Sequence, residues 1–569
     1  MSLIDWIQLG AFLLVIVLLT KPLGIYLYKV LNPSEKTFLD PVLKPFEKLI
    51  YRACRVNPLL EQNWKSYLAC IMGFSLISLI FTGAILALQY YLPLNPQKFS
   101  APSWHLNLNT SFSFMTNTNW QSYGGESTMS YFSQMASLTV QNFVSAAVGL
   151  AVAAALVRGF ARQTGKTVGN FWADLTRITL YILLPLSIIA AVIFVYEGVP
   201  QNFNAYTQVQ TVEGASQTIA QGPIASQQAI KLLGTNGGGF TNVNSSHPYE
   251  NPTPLANFFQ LILILLIPAA QIYYYGKSIG DTKHAWCIFA ALASVFVAGV
   301  IVCAYSEAAN NPELAKLGLY GGNWEGKEQR FGVFSSALFA CVTTVVSCGA
   351  VNCMHDSLSP LGGLIPLLNM ELSEVIFGGV GAGLYSVLLF VLLAIFISGL
   401  IIGRTPEYLG KKIEAFDVKM TVLAILPYVL VVHALTAYGV LSKWGIAGLG
   451  NSGPHGFSEI LYAFSSAAAN NGSAFAGLSA NTPGYNLTLA LAMFLGRFLV
   501  IAPVVALAGS LVEKKIHPKT SASFPISSFV FISLLVGIIL LIGALTFLPA
   551  LTMGPIIEQF LMLKGVLFS

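Results

Sequence analysis

Long apolar runs recur along the chain and are separated by short polar loops. About 20 consecutive apolar residues are enough to span the hydrocarbon core of a bilayer. Runs of that length lie at residues 6–31, 64–92, 130–158, 172–197, 254–276, 284–306, 375–402, 418–441, 485–511 and 525–550. The pattern predicts an all-α polytopic membrane protein with ten transmembrane helices.

Four shorter apolar runs, each too short to span, precede four polar strings. The short runs lie at 103–116, 217–234, 331–346 and 456–469. The strings read T-N-T-N-W-Q (116–121), T-N-G-G-G-F (235–240), S-C-G-A-V-N (347–352) and N-N-G-S-A-F (470–475). Irregular backbone is tolerated at membrane depth only where protein buries it or where it lines a watery cavity. We therefore expect four short helices that descend partway and return as extended loops.

Each polar string lies between two spans, so one unit occurs four times: span, short helix, loop, span. The second to fourth strings align on Gly237, Gly349 and Gly472, and the first then places Gln121 or Asn119 at that position. A unit repeated at nearly constant spacing is a fold-level signal. It predicts four pseudo-symmetric repeats at 64–171, 172–283, 284–417 and 418–520, with one extra helix in each terminal segment, 1–63 and 521–569.

Composition and charge support the membrane assignment and predict an orientation. Only 9% of the residues are charged and the mean hydropathy is +0.68, whereas soluble domains carry about 25% charged residues. Most of the 29 lysines and arginines lie in the loops after the odd-numbered spans. Because basic loops stay in the cytoplasm, both termini and the four strings are expected outside. The net charge of +5 therefore does not indicate a nucleic-acid partner.

The strings have the chemistry of a filter for a monovalent cation. Potassium is held where a ring of backbone carbonyls replaces its hydration shell, and Gly and Asn best tolerate the positive φ this requires. The strings contain no Asp or Glu, which are usual in filters for divalent cations. Three acids that follow the strings, Glu126, Glu250 and Asp356, are expected in an outer vestibule.

Two further sequence features concern the region that is expected to lie below the strings. The segment F-G-G-V-G-A-G (377–383) contains Gly378 and Gly379, and follows Glu374. It predicts a broken helix beneath the filter, with close packing through small residues as the alternative. Arg497 lies inside the ninth span, where a charge usually faces the bundle interior. It either pairs with a carboxylate such as Glu374 or forms a fixed positive charge that opposes straight passage of a cation.

Longer stretches around the strings resemble a known family. They are M-T-N-T-N-W-Q-S-Y-G-G-E (115–126), G-T-N-G-G-G-F-T-N-V-N-S-S-H-P-Y-E-N-P-T-P (234–254), S-C-G-A-V-N-C-M-H-D-S (347–357) and A-N-N-G-S-A-F-A-G-L (469–478). Essentially the whole chain is similar to the potassium-binding subunits of bacterial Kdp potassium-transporting P-type ATPases. The resemblance implies filter residues at Asn117, Thr118, Gln121, Thr235, Asn236, Gly237, Ser347, Cys348, Gly349, Asn470, Asn471 and Gly472. Asn119 is added to this set because asparagine tolerates positive φ. Gln121 stands where a filter glycine would be expected, so the first string departs from four-fold glycine symmetry.

The resemblance also implies how the chain works and where. It would sit in the bacterial inner membrane, in contact with lipid, and pass K⁺ sideways to a P-type ATPase subunit that hydrolyses ATP. A single-span accessory subunit and a small membrane peptide would complete the complex. No organic cofactor is expected, and no D-K-T-G-T phosphorylation string occurs in the chain.

Two other functions are alternatives to this one. A stand-alone potassium channel or an ion-coupled potassium transporter of the same superfamily shares the filter chemistry. The extra first and tenth spans favour a subunit with partner contacts. A polytopic membrane enzyme is disfavoured, because no loop clusters nucleophilic or acid–base residues into a catalytic site.

Overall fold

Ten helices in the computed structural model are long and apolar enough to cross a membrane. The structure describes residues 1–403, 405–518 and 524–566. Within them the spans are Leu3–Leu31, Trp64–Tyr91, Ser133–Ala161, Phe171–Tyr196, Pro254–Ser278, Thr282–Ala308, Ala382–Ile401, Ala415–Leu441, Pro483–Glu513 and Phe529–Leu563. The ten predicted helices are confirmed. The predicted boundary between residues 520 and 521 lies outside the described residues.

Four short helices directly precede the polar strings, as the short apolar runs predicted. They are Trp104–Met115, Ile224–Leu233, Gly332–Val345 and Gly453–Ala469. The spans that follow the strings, namely the third, fifth, seventh and ninth, are the most buried of the ten. These four inner spans surround the loops, and the remaining spans form the outer layer. The four-fold pseudo-symmetry and the repeat boundaries stay predictions.

The helices after the second, third and fourth strings begin at a Ser/Thr-Pro pair. The side chains of Thr253, Ser359 and Thr482 each accept a hydrogen bond from the backbone N–H three residues on, at 3.0, 3.3 and 3.4 Å. The proline after each occupies the first helical position, where its missing N–H costs nothing. The same local chemistry thus starts a helix at corresponding places in three units.

The seventh span begins later than predicted because the chain is interrupted below the third string. A helix that was not predicted, Pro360–Glu371, ends there, and the next helix runs Ala382–Ile402 rather than from residue 375. The backbone between them adopts positive φ at Ser373, Glu374, Phe377, Gly378 and Gly381. An α-helix cannot continue through such residues, so the predicted broken helix is present.

The fold also contains elements that an all-α assignment omits. Two antiparallel hairpins pair Thr207–Gln210 with Ser216–Ile219, and Glu407–Tyr408 with Lys411–Lys412. A further helix, Asp40–Ala53, occupies the loop after the first span. These elements lie outside the spans, so the apolar pattern that revealed the spans carried no signal for them.

Candidate functional site

The second polar string contacts both the first and the third. The side-chain amide of Asn117 in the first string donates to the carbonyl oxygen of Thr235, with an N···O distance of 3.1 Å. The backbone N–H of Gly349 in the third string donates to the carbonyl of Asn236 at 3.4 Å. Three strings that are more than 100 residues apart therefore lie side by side.

The fourth string closes the ring. A Cβ atom built on Gly349 would lie 2.8 Å from the carbonyl oxygen of Asn471, closer than real side chains approach. On its other side, the Asn470 amide donates to the hydroxyl of Thr118 at 3.0 Å. The structure thus brings all four predicted strings together around one centre.

Backbone hydrogen bonds fix the register of the first string against the second. The N–H of Asn119 donates to the carbonyl of Ser113 at 3.1 Å, and the N–H of Gly237 donates to that of Lys231 at 3.1 Å. Both bonds reach back six residues into the preceding short helix. Asn119 is therefore the counterpart of Gly237, and the alternative that placed Gln121 there is corrected.

Gln121 lies two residues further along the string and braces the second string. Its side-chain amide donates to the carbonyl of Gly239 at 3.0 Å and accepts from the N–H of Gly239 at 2.9 Å. This paired contact fixes the spacing between the two strings without placing Gln121 at the aligned position.

The backbone of three strings alternates between positive and negative φ. Positive values occur at Asn117 (68°) and Asn119 (54°), at Thr235 (49°) and Gly237 (86°), and at Asn470 (60°) and Gly472 (101°). Such alternation turns successive carbonyl oxygens toward the same side, as a carbonyl-lined ion site requires. The third string departs from the expectation, because Gly349 does not have a positive φ. Its glycine is required by the close approach of the fourth string instead.

Neutral oxygens surround the ring. The side-chain oxygens Oδ1 of Asn119, Asn236 and Asn352 are buried and accept no hydrogen bond from the described residues. Buried acceptors are nearly always satisfied, so these oxygens are suited to a ligand that is a cation or a donor. Ser347 and Cys348 are buried as well, and Thr343 donates to the carbonyl of Cys348.

The interrupted seventh span passes directly beneath the strings. The N–H of Val380 donates to the hydroxyl of Thr235 at 3.0 Å. Gln271 of the fifth span donates to the carbonyl of Gly379 at 3.2 Å and accepts from the N–H of Gly381 at 2.8 Å. The Gly-rich loop is therefore bonded to the second string and to an inner span.

Glu374 and Arg497 face the same small cavity below the ring, of about 50 Å³. The Glu374 carboxylate accepts hydrogen bonds from the hydroxyl of Ser347 and from the amide of Asn471, the latter at 2.9 Å. The Arg497 guanidinium donates to the carbonyl of Ser145 at 3.2 Å. Among the described residues no ion pair joins Arg497 to a carboxylate. The structural pair with Glu374, one of the two sequence alternatives, is not formed.

One of the three acids expected in an outer vestibule is placed differently. Glu250 is fully buried and forms an ion pair with Lys231, which is also fully buried. Glu126, in contrast, accepts from the N–H of Asn242 at 2.8 Å near the surface. The prediction for Glu250 was wrong because a loop acid can fold inward when a buried lysine neutralises it.

Asp356 belongs to a charge cluster on the same side as the strings. His455 contacts the Asp356 carboxylate through Nε2 at 3.2 Å and the Glu558 carboxylate through Nδ1 at 2.8 Å. Burial lowers the pKa of His455, but the hydrogen bonds and charges of the two carboxylates outweigh it and raise that pKa to about 10. The cluster links the fourth short helix to the segment that follows the third string and to the tenth span.

Sequence reasoning missed several side chains that support the ring from the spans. Ser145 donates to the Asn117 side chain at 2.7 Å, and Asn142 accepts from the Asn119 amide at 2.7 Å. Gln271 was missed too. A signal was present, because polar residues inside an apolar span usually face the bundle interior.

Comparisons with known proteins agree with this architecture. The family model described as potassium-transporting ATPase A subunit matches residues 10–560. A protein of Mesorhizobium japonicum named potassium-transporting ATPase potassium-binding subunit is 54% identical over 568 residues, covering 100% of both chains. A protein of the same name from Solibacter usitatus is 55% identical over 563 residues, covering 99% of both chains.

A solved structure shares the fold at low identity. The crystal structure of the potassium transporter TrkH from Vibrio parahaemolyticus matches with a TM-score of 0.53 and 13% identity, covering 85% of this chain and 97% of that one. The resemblance inferred from the four strings is confirmed by the full-length relatives. The chain belongs to the potassium-transporting ATPase A subunit family.

Proposed function

We propose that this chain is the potassium-binding subunit of an ATP-driven importer, and that the four-string ring is its potassium filter. The observation that carries the proposal is the closed ring of neutral oxygens, in which three strings alternate positive and negative φ. Such a ring replaces water around a monovalent cation. Its residues are those named above, with Asn119 rather than Gln121 at the aligned position. K⁺ is the cargo of this site.

Replacing Gly472 by alanine tests the filter. At φ 101° an alanine is strained, and its Cβ would collide with the carbonyl of Thr118. We expect Gly472→Ala to weaken potassium-stimulated ATP hydrolysis of the purified complex by about tenfold or more in apparent affinity, since lost carbonyl ligands cost at least ~1.4 kcal/mol. Stimulation by Rb⁺ and NH₄⁺ should rise relative to K⁺.

Gly537→Ala is the matched control. Gly537 lies in the tenth span, and a Cβ there would meet nothing within 4 Å. If both variants kept the affinity and selectivity of the unmodified protein, the strings would not be the filter.

The partner assignment is also a proposal, supported by the names of the relatives. We infer that a P-type ATPase subunit hydrolyses ATP, with a single-span accessory subunit and a small membrane peptide beside it. The complex would sit in the bacterial inner membrane with both chain termini and the filter outside. A tag on this chain should capture an ATPase subunit from native membranes. Potassium flux through the chain alone, without that subunit, would favour the stand-alone channel or transporter.

Passage straight through the membrane would be opposed below the filter. We propose that Arg497 and the Gly-rich loop form this barrier, with Glu374 facing the same cavity. A pump subunit needs a barrier, because an open pore would dissipate the gradient that ATP hydrolysis builds. The observations in favour are the loop's contacts with Thr235 and Gln271, and the Arg497 guanidinium, which faces the cavity and forms no ion pair among the described residues.

A further inference from the structure

Six residues before the aligned position of each polar string, a polar side chain of the preceding short helix lies behind the string. In three strings that side chain is a hydroxyl that bonds to its own loop: Ser113 donates to the carbonyl of Trp120 at 2.9 Å, Thr343 donates to the carbonyl of Cys348, and Ser466 accepts from the N–H of Gly472 at 3.0 Å. In the second string the same position holds Lys231. One unit of the ring therefore has a positive charge where the others have a neutral hydroxyl.

Lys231 is connected to the filter through Asn244. Its ammonium donates to the Oδ1 atom of Asn244 at 2.7 Å and forms an ion pair with Glu250. The Nδ2 atom of Asn244 donates in turn to the carbonyl oxygen of Gly237 at 2.6 Å. Only one residue thus separates the buried charge from a filter carbonyl.

The Lys231 ammonium and the backbone N–H of Ser245, which donates to the same Oδ1 atom at 2.8 Å, together set which way the Asn244 amide faces. An ammonium only donates hydrogen bonds, so it selects the oxygen end of the amide. The NH₂ end must then face Gly237. A hydroxyl at position 231 could accept as well as donate, so the orientation would then depend on the Ser245 N–H and hydroxyl without the support of the charge.

Glu250 holds the chain that follows the second string at a second point, Thr241. Its carboxylate accepts from the N–H of Thr241 at 2.7 Å and from the Thr241 hydroxyl at 2.8 Å. Lys231 and Glu250 are both completely buried. Buried ion pairs are often no more stabilising than apolar residues of similar size, so stability alone is a weak reason for a pair at this place.

We propose that Lys231 is a positioning residue of the potassium filter: through Asn244 it holds the Gly237 carbonyl in one direction and thereby sets the ion selectivity of the second string. The inference rests on the proposed filter function. Releasing the Asn244 amide would let the carbonyl turn, and the fixed geometry that separates K⁺ from larger cations would be lost at one quarter of the ring.

The experiment compares two buried lysine–glutamate pairs. The double variant Lys231→Met/Glu250→Gln removes the charge at the filter without leaving an unpaired partner. Its control is Lys327→Met/Glu307→Gln, because Lys327 and Glu307 form another fully buried pair, with an N···O distance of 2.7 Å. Both are made in the full chain and purified as the complex captured by a tag on this chain. Apparent affinities for K⁺, Rb⁺ and NH₄⁺ are measured from ion-stimulated ATP hydrolysis, and thermal unfolding is recorded in parallel.

We expect the Lys231 double variant to lower the K⁺ over Rb⁺ preference about tenfold, the effect of losing one buried hydrogen bond to a filter atom. The control should keep the preference even if its unfolding temperature falls. The arginine side chain also only donates hydrogen bonds, so Lys231→Arg should keep the K⁺ over Rb⁺ preference within about threefold. Asn244→Asp retains an acceptor for Lys231 but cannot donate to Gly237. It should therefore reproduce the loss of K⁺ over Rb⁺ preference. This variant replaces the double variant if the latter fails to fold.

Two results would overturn the inference. The first is an unchanged ion preference in the Lys231 double variant and in Asn244→Asp. The second is an equal loss of preference in the Lys327 control, which would show a general effect of destabilisation. Gly472→Ala separates the failures: if it changes selectivity while the Lys231 variants do not, the filter stands and only the role of Lys231 is wrong. If none of these variants changes selectivity, the filter assignment itself fails.

Discussion

At the residue scale, glycine and asparagine share one backbone task in the ring. Asn119 at φ 54° and Gly237 at φ 86° occupy equivalent positions, which explains how the first string adopts this backbone conformation without a glycine there. Asparagine tolerates the left-handed region better than other residues with a Cβ. Gly349 has a different reason, since a Cβ there would meet the backbone of Asn471 and Gly472 within 2.9 Å.

His455 provides a prediction about pH at this scale. Its pKa is raised to about 10 in the folded protein from an ordinary value of 6.5. The protonated ring therefore stabilises the fold fully below about pH 6.5, and this contribution is lost as the pH rises through about 10. We expect His455→Gln to unfold at a lower temperature than the unmodified protein at pH 6, and the difference to shrink by pH 10.5.

Thermal unfolding in detergent at both pH values measures this difference. Gln559→Ala is the control, because Gln559 lines the same cavity as Asp356, His455 and Glu558 but does not titrate. A difference for His455→Gln that stayed constant from pH 6 to 10.5 would contradict the stabilising role of the charge.

At the element scale, the interruption between Pro360–Glu371 and Ala382–Ile402 distinguishes the third unit from the others. The spans after the first, second and fourth strings have no such gap: they run Ser133–Ala161, Pro254–Ser278 and Pro483–Glu513. The gap places a loop with five positive φ angles against the ring of strings. Such strained segments are concentrated at functional sites.

Gly378→Ala tests the loop. Gly378 has φ 60°, and a Cβ there would collide with Gly383 and approach the carbonyl of Glu374 at 2.5 Å. Gly403 has φ 73° but meets nothing within 4 Å, so Gly403→Ala carries only the backbone strain of about 1–2 kcal/mol. We expect Gly378→Ala to reduce potassium uptake by vesicles several-fold while K⁺-dependent protection against heat is retained, and Gly403→Ala to leave uptake nearly unchanged.

Equal uptake in the two variants would mean that the loop only connects the two helices. A loss of K⁺ protection in Gly378→Ala would instead place the loop within the binding site.

At the scale of the whole molecule, the filter, the loop and Arg497 follow one another along the inner bundle. The ring lies between the short helices, the Gly-rich loop contacts it from below, and the cavity with Arg497 adjoins both. A charge inside a span costs about 2.5–3.5 kcal/mol on insertion scales. The Arg497 guanidinium faces the cavity and forms no ion pair among the described residues, which fits an electrostatic barrier to cations.

Replacing Arg497 by methionine should open this barrier. We expect passive potassium leak through reconstituted complex to rise about tenfold or more, since removal of ~1.4 kcal/mol changes a rate tenfold. Filter binding should persist, and potassium transported per ATP hydrolysed should fall. Lys21→Met, which removes a positive charge from the exposed face of the first span, is the control. An unchanged ratio without added leak would leave Arg497 a packing residue.

The sequence by itself determined the elements that depend on local physics. Apolar length gave the ten spans, and the short runs before Asn117, Thr235, Ser347 and Asn470 gave the four short helices. The four glycines at 378, 379, 381 and 383 predicted the break in the seventh span. The helix Pro360–Glu371 could also have been found, because Ser359-Pro360 repeats the start signal of Thr253-Pro254 and Thr482-Pro483.

Only the tertiary structure decided features that join distant residues. No local pattern pairs Lys231 with Glu250, or separates Arg497 from Glu374, because burial and charge contacts depend on how the spans pack. The choice of Asn119 over Gln121 needed the hydrogen bond to Ser113, since a string of polar residues does not reveal its own register. The ring itself exists only when four strings from different parts of the chain turn their carbonyl oxygens toward one centre.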